Sequence, residues 1–135
     1  MPPVQAGASV PYHTGMPRRF VSDSFSNANV FTKSVANNGQ GELWVITNID
    51  SVAKGSSGQQ QFCDYLLSPG GDFYHDSQSI GEGGGVWFSW RGALPMYNGD
   101  ELVLSLQSSD TAVTLSHIAS GFVIPWYIGA PARLP

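Results

Sequence analysis

Charge is scarce in this chain. Only 12% of its 135 residues are Asp, Glu, Lys or Arg, about half the usual share. Ser, Asn, Gln, Gly and Thr must therefore cover the surface. Such a surface costs little to desolvate, which suits packing against other subunits. Basic residues are scarcest of all: six Lys and Arg stand against ten Asp and Glu, a net charge of −4. That is too little for the positive stripe that phosphate backbones require, so no nucleic acid is expected as a partner. One cysteine, Cys63, excludes an internal disulfide and any multi-cysteine zinc site. Within QFCDYLL it reads as a small buried side chain. No apolar run approaches the roughly 20 residues of a membrane helix. The longest, GFVIPWYIGA, is interrupted by Pro125, and no membrane partner is expected. The opening MPPVQAGASVPYH lacks the basic-then-apolar order of a secretory signal. Helical periodicity is missing as well.

What remains is a length that suits one domain and two kinds of segment. Residues 1–28 hold Pro2, Pro3, Pro11 and Pro17 among small and polar residues. Neither the helical nor the strand period emerges there, so the expectation is an extended arm, ordered only where it lies on something. Residues 29–135 alternate short β-branched and aromatic runs with turn chemistry. That pattern predicts an all-β fold, a single jelly-roll-like antiparallel β-sandwich of about seven or eight strands. VWFSWRG sets Val86, Phe88 and Trp90 against Trp87, Ser89 and Arg91, and ELVLSLQ sets Leu102, Leu104 and Leu106 on one face. DSVAKGSSGQQ reads as a polar loop. The expected core is Val45, Phe62, Leu66, Phe88, Leu102, Leu104 and Phe122. In the last run, Val113 and Leu115 differ in parity from Ile118, Phe122 and Ile124, which predicts a bulge near His117–Ser120.

The chain offers little to catalysis. Asp72, His75 and Asp76 in DFYHD are its one candidate cluster. On a strand the two carboxylates share a face and His75 points away, so a metal site needs the run to curl. His117 lies between apolar residues and reads as a satisfied, partly buried histidine. No Ser or Cys stands in a nucleophile elbow, and GEGGG lacks the helix and lysine of a phosphate loop. The expectation is no enzyme, no catalytic residue, no cofactor and no metal. Aromatics give a second class of function: an outward Trp87 is a sugar platform or an interface anchor. Arg18–Arg19, the one adjacent basic pair, reads as a solvated patch or as an anchor for an acidic neighbour.

LPMYNGDELVLSL followed by SHIASGFVI resembles the ending of trimeric jelly rolls of the C1q and tumour-necrosis-factor type. The polar, low-charge sandwich with its proline-rich arm looks as a whole like the capsid decoration, or cement, proteins of tailed phages. That resemblance implies a virion structural protein on the capsid outer surface. It would be a homotrimer whose arm lies across subunits of the major capsid protein. Tyr12, Arg18, Arg19 and Phe20 are then the expected arm-docking residues, with Trp87 and Arg91 the expected contacts between sandwich copies. The alternative is a glycan- or receptor-binding module.

Overall fold

The computed structural model describes residues 15–38, 41–55, 58–81, 84–109 and 113–125. They form eight strands: β1 (Met16–Ser26), β2 (Val30–Ala36), β3 (Glu42–Gly55), β4 (Gln60–Ser68), β5 (Gly71–Ser79), β6 (Gly85–Met96), β7 (Glu101–Ser108) and β8 (Val113–Pro125). Two antiparallel four-stranded sheets result, in the orders β1-β8-β3-β6 and β2-β7-β4-β5. Each chain crossing from one sheet to the other follows the jelly-roll order, so the expected all-β sandwich is the fold.

Alternation explains which side chains meet between the sheets. Val86 and Phe88 of β6 point inward, as do Leu102, Leu104 and Leu106 of β7. Phe88, Leu102 and Leu104 therefore lie in the core as the sequence predicts. Four other expected core residues do not. Phe62 and Leu66 of β4 share a face with Asp64, and that face is outward; Cys63, Tyr65 and Leu67 are buried instead. Phe62 is 44% exposed. On β3 the inward side chains are Trp44 and Ile46, then Ile49, Ser51 and Ala53, with Val45 left half-buried. Phe122 is also half-buried, on the outward parity of β8.

The expected phase change in β8 is absent. Val113, Leu115, His117, Ala119 and Val123 all point inward, in one unbroken parity. The irregularity lies in the neighbours instead. Opposite Ala119–Ser120, β1 carries the extra residue Phe20, and opposite Ser120–Gly121, β3 carries the extra residue Thr47. Facing Thr47 in turn, β6 spans Gly92 and Ala93. The methyl of Ala119 and the bare backbone of Gly121 let β8 run straight while its neighbours bend around it. Gly121 has no alternative there, because a Cβ would come 1.9 Å from the Val45 carbonyl oxygen.

Three further differences follow from pairing that local composition conceals. The supposed polar loop at Asp50–Gly55 is the second half of β3, paired on both sides. An extra residue at Phe73 puts Asp72 opposite Leu66 and Asp76 opposite Cys63, so the two carboxylates lie on opposite faces rather than one. The largest difference concerns the N-terminal region. Met16–Ser26 is an edge strand of the first sheet, in register with β8 over Met16↔Val123 to Ser26↔Thr114. Val21 is buried in the core, and Asp23 pairs with Lys33 of β2 at 3.0 Å across the open side of the sandwich. The boundary expected at residue 28 therefore falls after a strand of the domain. Its exposed flanks, Met16–Arg19 and Ser22–Ser26, hide the strand period, because only one face of an edge strand meets the core.

The turn after β6 is built as its residues suggest. β6 continues through Pro95, which an edge strand tolerates because a proline there removes no ladder bond. Gly99 takes a φ of 92°. The Asp100 carboxylate accepts the Tyr97 N–H at 2.9 Å. The Asn37 amide donates to the carbonyls of Met96 and Glu42 at 2.8 and 3.0 Å, tying the turn to the start of β3.

Removing residues 1–28 should abolish the cooperative thermal transition of the full chain, because β8 loses its hydrogen-bonded neighbour and the core loses Val21. Circular dichroism melting of the truncation beside the full chain checks this.

Candidate functional site

Two places gather polar side chains: the centre of the core and the outer face of the first sheet. In the core, Ser51 of β3, Tyr65 of β4 and His117 of β8 form a chain. His117 Nε2–H donates to the Phe31 carbonyl at 2.9 Å. The neutral ring then leaves Nδ1 as an acceptor, which takes the Ser51 hydroxyl proton at 2.6 Å. Ser51 Oγ in turn accepts from Tyr65 O–H at 2.6 Å. The His117 ring stacks on Phe31 at 5.3 Å. Burial holds the His117 pKa below its ordinary 6.5, against the partial opposing effect of the Phe31 carbonyl. Burial also pushes the Cys63 thiol up to about 11 and the Tyr65 hydroxyl above its usual range.

A Ser–His pair invites comparison with a nucleophile and its base. Here both residues are 0% exposed, so no reactant reaches Ser51. The chain satisfies buried polar groups and crosslinks the two sheets.

The outer face of the first sheet is open to partners. Register places its side chains in rows across the four strands. One row is Trp87, Val52, Ser116 and Ser24, and the next is Ser89, Asp50, Ile118 and Ser22. The third is Arg91, Asn48, Ser120 and Arg19. Asp50 is held by Ser89 Oγ at 2.8 Å and by the Arg91 guanidinium at 3.1 Å. Trp87 is 62% exposed and Ile118 38%. A groove of about 530 Å³, lined by Pro17, Arg18, Arg19, Thr47, Asn48, Ser120 and Gly121, opens where β1 and β3 bulge. A smaller one lies beside Ser22, Ser24, Ser116 and Ile118.

The expected site residues divide accordingly. Arg19, Trp87 and Arg91 share this one face, although the sequence assigned them to two separate roles. Arg18 points to the end of the sandwich. Its guanidinium pairs with Glu42 at 3.5 Å and lies 5.9 and 5.8 Å from the centres of the Phe20 and Trp44 rings. Phe20 itself packs on Trp44, with ring centres 4.9 Å apart. Its ring closes the sandwich end rather than standing free for docking. Tyr12 lies outside the described residues. His75 is on the outer face of the second sheet, 3.2 Å from Asp64. Among the described residues no three His, Cys, Asp or Glu side chains form a metal-holding group. Asn48, Ser120 and Asp50 went unnoticed in the sequence, because only cross-strand register aligns them with Arg19 and Arg91.

No family model matches the chain, and no curated protein matches it. Solved structures give distant likenesses. Dimeric latent PorU from Porphyromonas gingivalis shares 20% identity over 82% of this chain and 11% of its own, with a TM-score of 0.47. The Yersinia pseudotuberculosis-derived mitogen shares 6% over 85% and 99%, with a TM-score of 0.32. The Clostridium thermocellum xylanase 10B with its CBM22-1 and GH10 modules, complexed with xylohexaose, shares 11% over 86% and 30%, with a TM-score of 0.33. The chain thus spans about a tenth of PorU's length and a third of the xylanase's. None carries a residue's role across, and the fold stands on the strand order given above.

The core chain has a measurable consequence. The unfolded His117 takes up a proton near pH 6.5, while the folded ring resists it. Stability present above that pH is therefore lost as the pH falls below it, by about 1.4 kcal/mol per unit until the folded pKa is reached. Urea denaturation between pH 7.5 and 5.5 should show this loss. A His117→Gln variant, less stable throughout, should lose that component of the slope.

Proposed function

We propose that this protein is a non-enzymatic structural component of a virion. It decorates the outer surface of a capsid and stabilises it by bridging neighbouring major capsid protein subunits, as a homotrimer. The observation that carries this reading is the outer face of the first sheet. There the exposed apolar side chains Trp87 and Ile118 stand among neutral Ser, Thr and Asn, the Asp50 and Arg91 charges neutralise each other, and the remaining charges, Arg19 and Lys54, lie at the margins of the face. Such a face is cheap to desolvate and broad rather than enclosed, which suits a protein surface. A protein that binds only the assembled shell stabilises it by mass action, and a trimer multiplies weak contacts through effective concentration.

Removing a central aromatic anchor from an interface costs about 2 kcal/mol or more, some thirtyfold in affinity. Trp87→Ser should therefore weaken co-sedimentation with cognate empty shells by about that factor while leaving the melting temperature nearly unchanged, since the ring lies outside the core. Wild-type protein that fails to co-sediment with shells would remove this reading.

One observation favours a glycan- or receptor-binding role instead: the exposed Trp87 ring stands on the same face as the hydrogen-bonding groups of Asp50, Ser89 and Asn48. Aromatic faces offer a sugar ring an apolar platform. On that reading a sugar quenches tryptophan fluorescence saturably, and Trp87→Ala abolishes the quenching.

A further inference from the structure

We propose that the groove between the β1 and β3 bulges is a carboxylate-binding site, which takes an acidic side chain from an extended segment of the partner protein. This rests on the reading that the outer face of the first sheet is the docking face, and adds the chemistry of what docks there.

The row Arg19–Ser120–Asn48–Arg91 crosses all four strands on this face. Three strand spacings separate its ends, about 14 Å between the two arginine Cα atoms. A guanidinium reaches some 6 Å from its Cα, so Arg19 and Arg91 bracket the Asn48 amide and the Ser120 hydroxyl. Every member of the row can donate a hydrogen bond, and none is a carboxylate. Nearby acids are already engaged: Glu42 with Arg18, and Asp50 with Arg91 and Ser89. Asp23, further along β1, is engaged with Lys33.

Arg19 is different. It is exposed, lines the groove, and has no ion pair or hydrogen bond among the described residues. Cancelling the pairs leaves one positive charge at the groove of a chain whose net charge is −4. The background negative potential is damped beyond about 8–10 Å at ordinary salt, while a carboxylate seated in the groove meets Arg19 directly. Arg is also the side chain whose fork of donors matches a carboxylate bidentately.

The bulges build this geometry. Phe20 and Thr47 are the extra residues, and a bulge bends its strand and re-aims the side chains beside it. Phe20 turns inward onto Trp44, leaving Arg19 on the outer side. Thr47 donates to the Ser120 carbonyl at 3.4 Å, which ties the two strands together at the groove floor. The groove is open along its length and closed only beneath. It therefore holds a side chain presented by another surface better than it retains a free small molecule. The exposed Ile118 and Trp87 on the adjoining rows offer the rest of such a surface apolar contact.

The test is an amide-shift titration of the isotope-labelled full chain. The probes are the capped tripeptide Ac-Gly-Glu-Gly-NH2, its Gln counterpart and glucuronate. The expected result is a saturable response in the millimolar range at Arg19, Asn48 and Ser120 with the Glu peptide. It should weaken as salt rises, fall about tenfold in Arg19→Gln and be partly restored in Arg19→Lys. Arg19 is exposed, so both variants should melt with the wild type. An equal response to the Gln peptide, or no saturable response, overturns the proposal. A response to glucuronate that exceeds the peptide's makes the source an acidic sugar and overturns the protein partner. Shell co-sedimentation separates the two levels. Arg19→Gln that sediments like wild type while Trp87→Ser does not overturns the groove and leaves the docking face standing. Loss in both supports the groove as part of that face.

Discussion

The sandwich depends on one buried chain of hydrogen bonds, from Tyr65 through Ser51 and His117 to the Phe31 carbonyl. Its members come from β4 and β2 on one side and from β3 and β8 on the other. It therefore fixes how the two sheets lie on each other, which apolar contacts alone specify loosely. The cost of an unmet partner makes the chain all-or-none: each hydroxyl is buried and has a single proton to give, which it gives to the next member of the chain. A Ser–His contact inside such a core serves registration, and its burial separates it from the chemistry that the same pair performs at a surface.

With the sheets locked, the bulges decide what the outer face presents. Straight β8 between two bent neighbours opens a groove at Ser120–Gly121. Gly121 permits the close approach of β3 that makes this possible. The same distortion sends Phe20 inward to Trp44 and leaves Arg19 outward, so one extra residue serves both the core and the surface. Trp87 and Ile118 occupy the regular part of the sheet, where plain alternation exposes them. A face assembled this way mixes apolar side chains, neutral polar groups and two cations, Arg19 and Lys54, that make no ion pair among the described residues. That combination suits contact with another protein over a broad area.

Much of the fold was legible because period and turn chemistry act locally. VWFSWRG and ELVLSLQ alternate cleanly, so Phe88, Leu102 and Leu104 were placed correctly and Trp87 was expected outward. Errors arose where both parities of a strand are apolar or where a strand is exposed on most of its length. In QFCDYLL the wholly apolar ring of Phe62 suggested the core, yet Tyr65 is the ring inside, where its hydroxyl has a partner. In β1 the charged and polar flanks concealed a strand with a single buried anchor, Val21. In β8 the apolar Ile118 and Phe122 suggested a change of face that belongs to the neighbouring strands.

The amino-acid sequence by itself determined an all-β chain, its turns, most strand positions and a surface poor in charge. These depend on residues within a few positions of one another. Tertiary structure alone decided that residues 16–26 belong to the sheet, that the bulges sit at Phe20 and Thr47, and that Arg19, Ser120, Asn48 and Arg91 stand in one row. Those four residues lie on four strands far apart in the chain, and only cross-strand register brings them onto one face. A one-residue change in pairing would scatter them between the core and the surface, which is why no local pattern announces them.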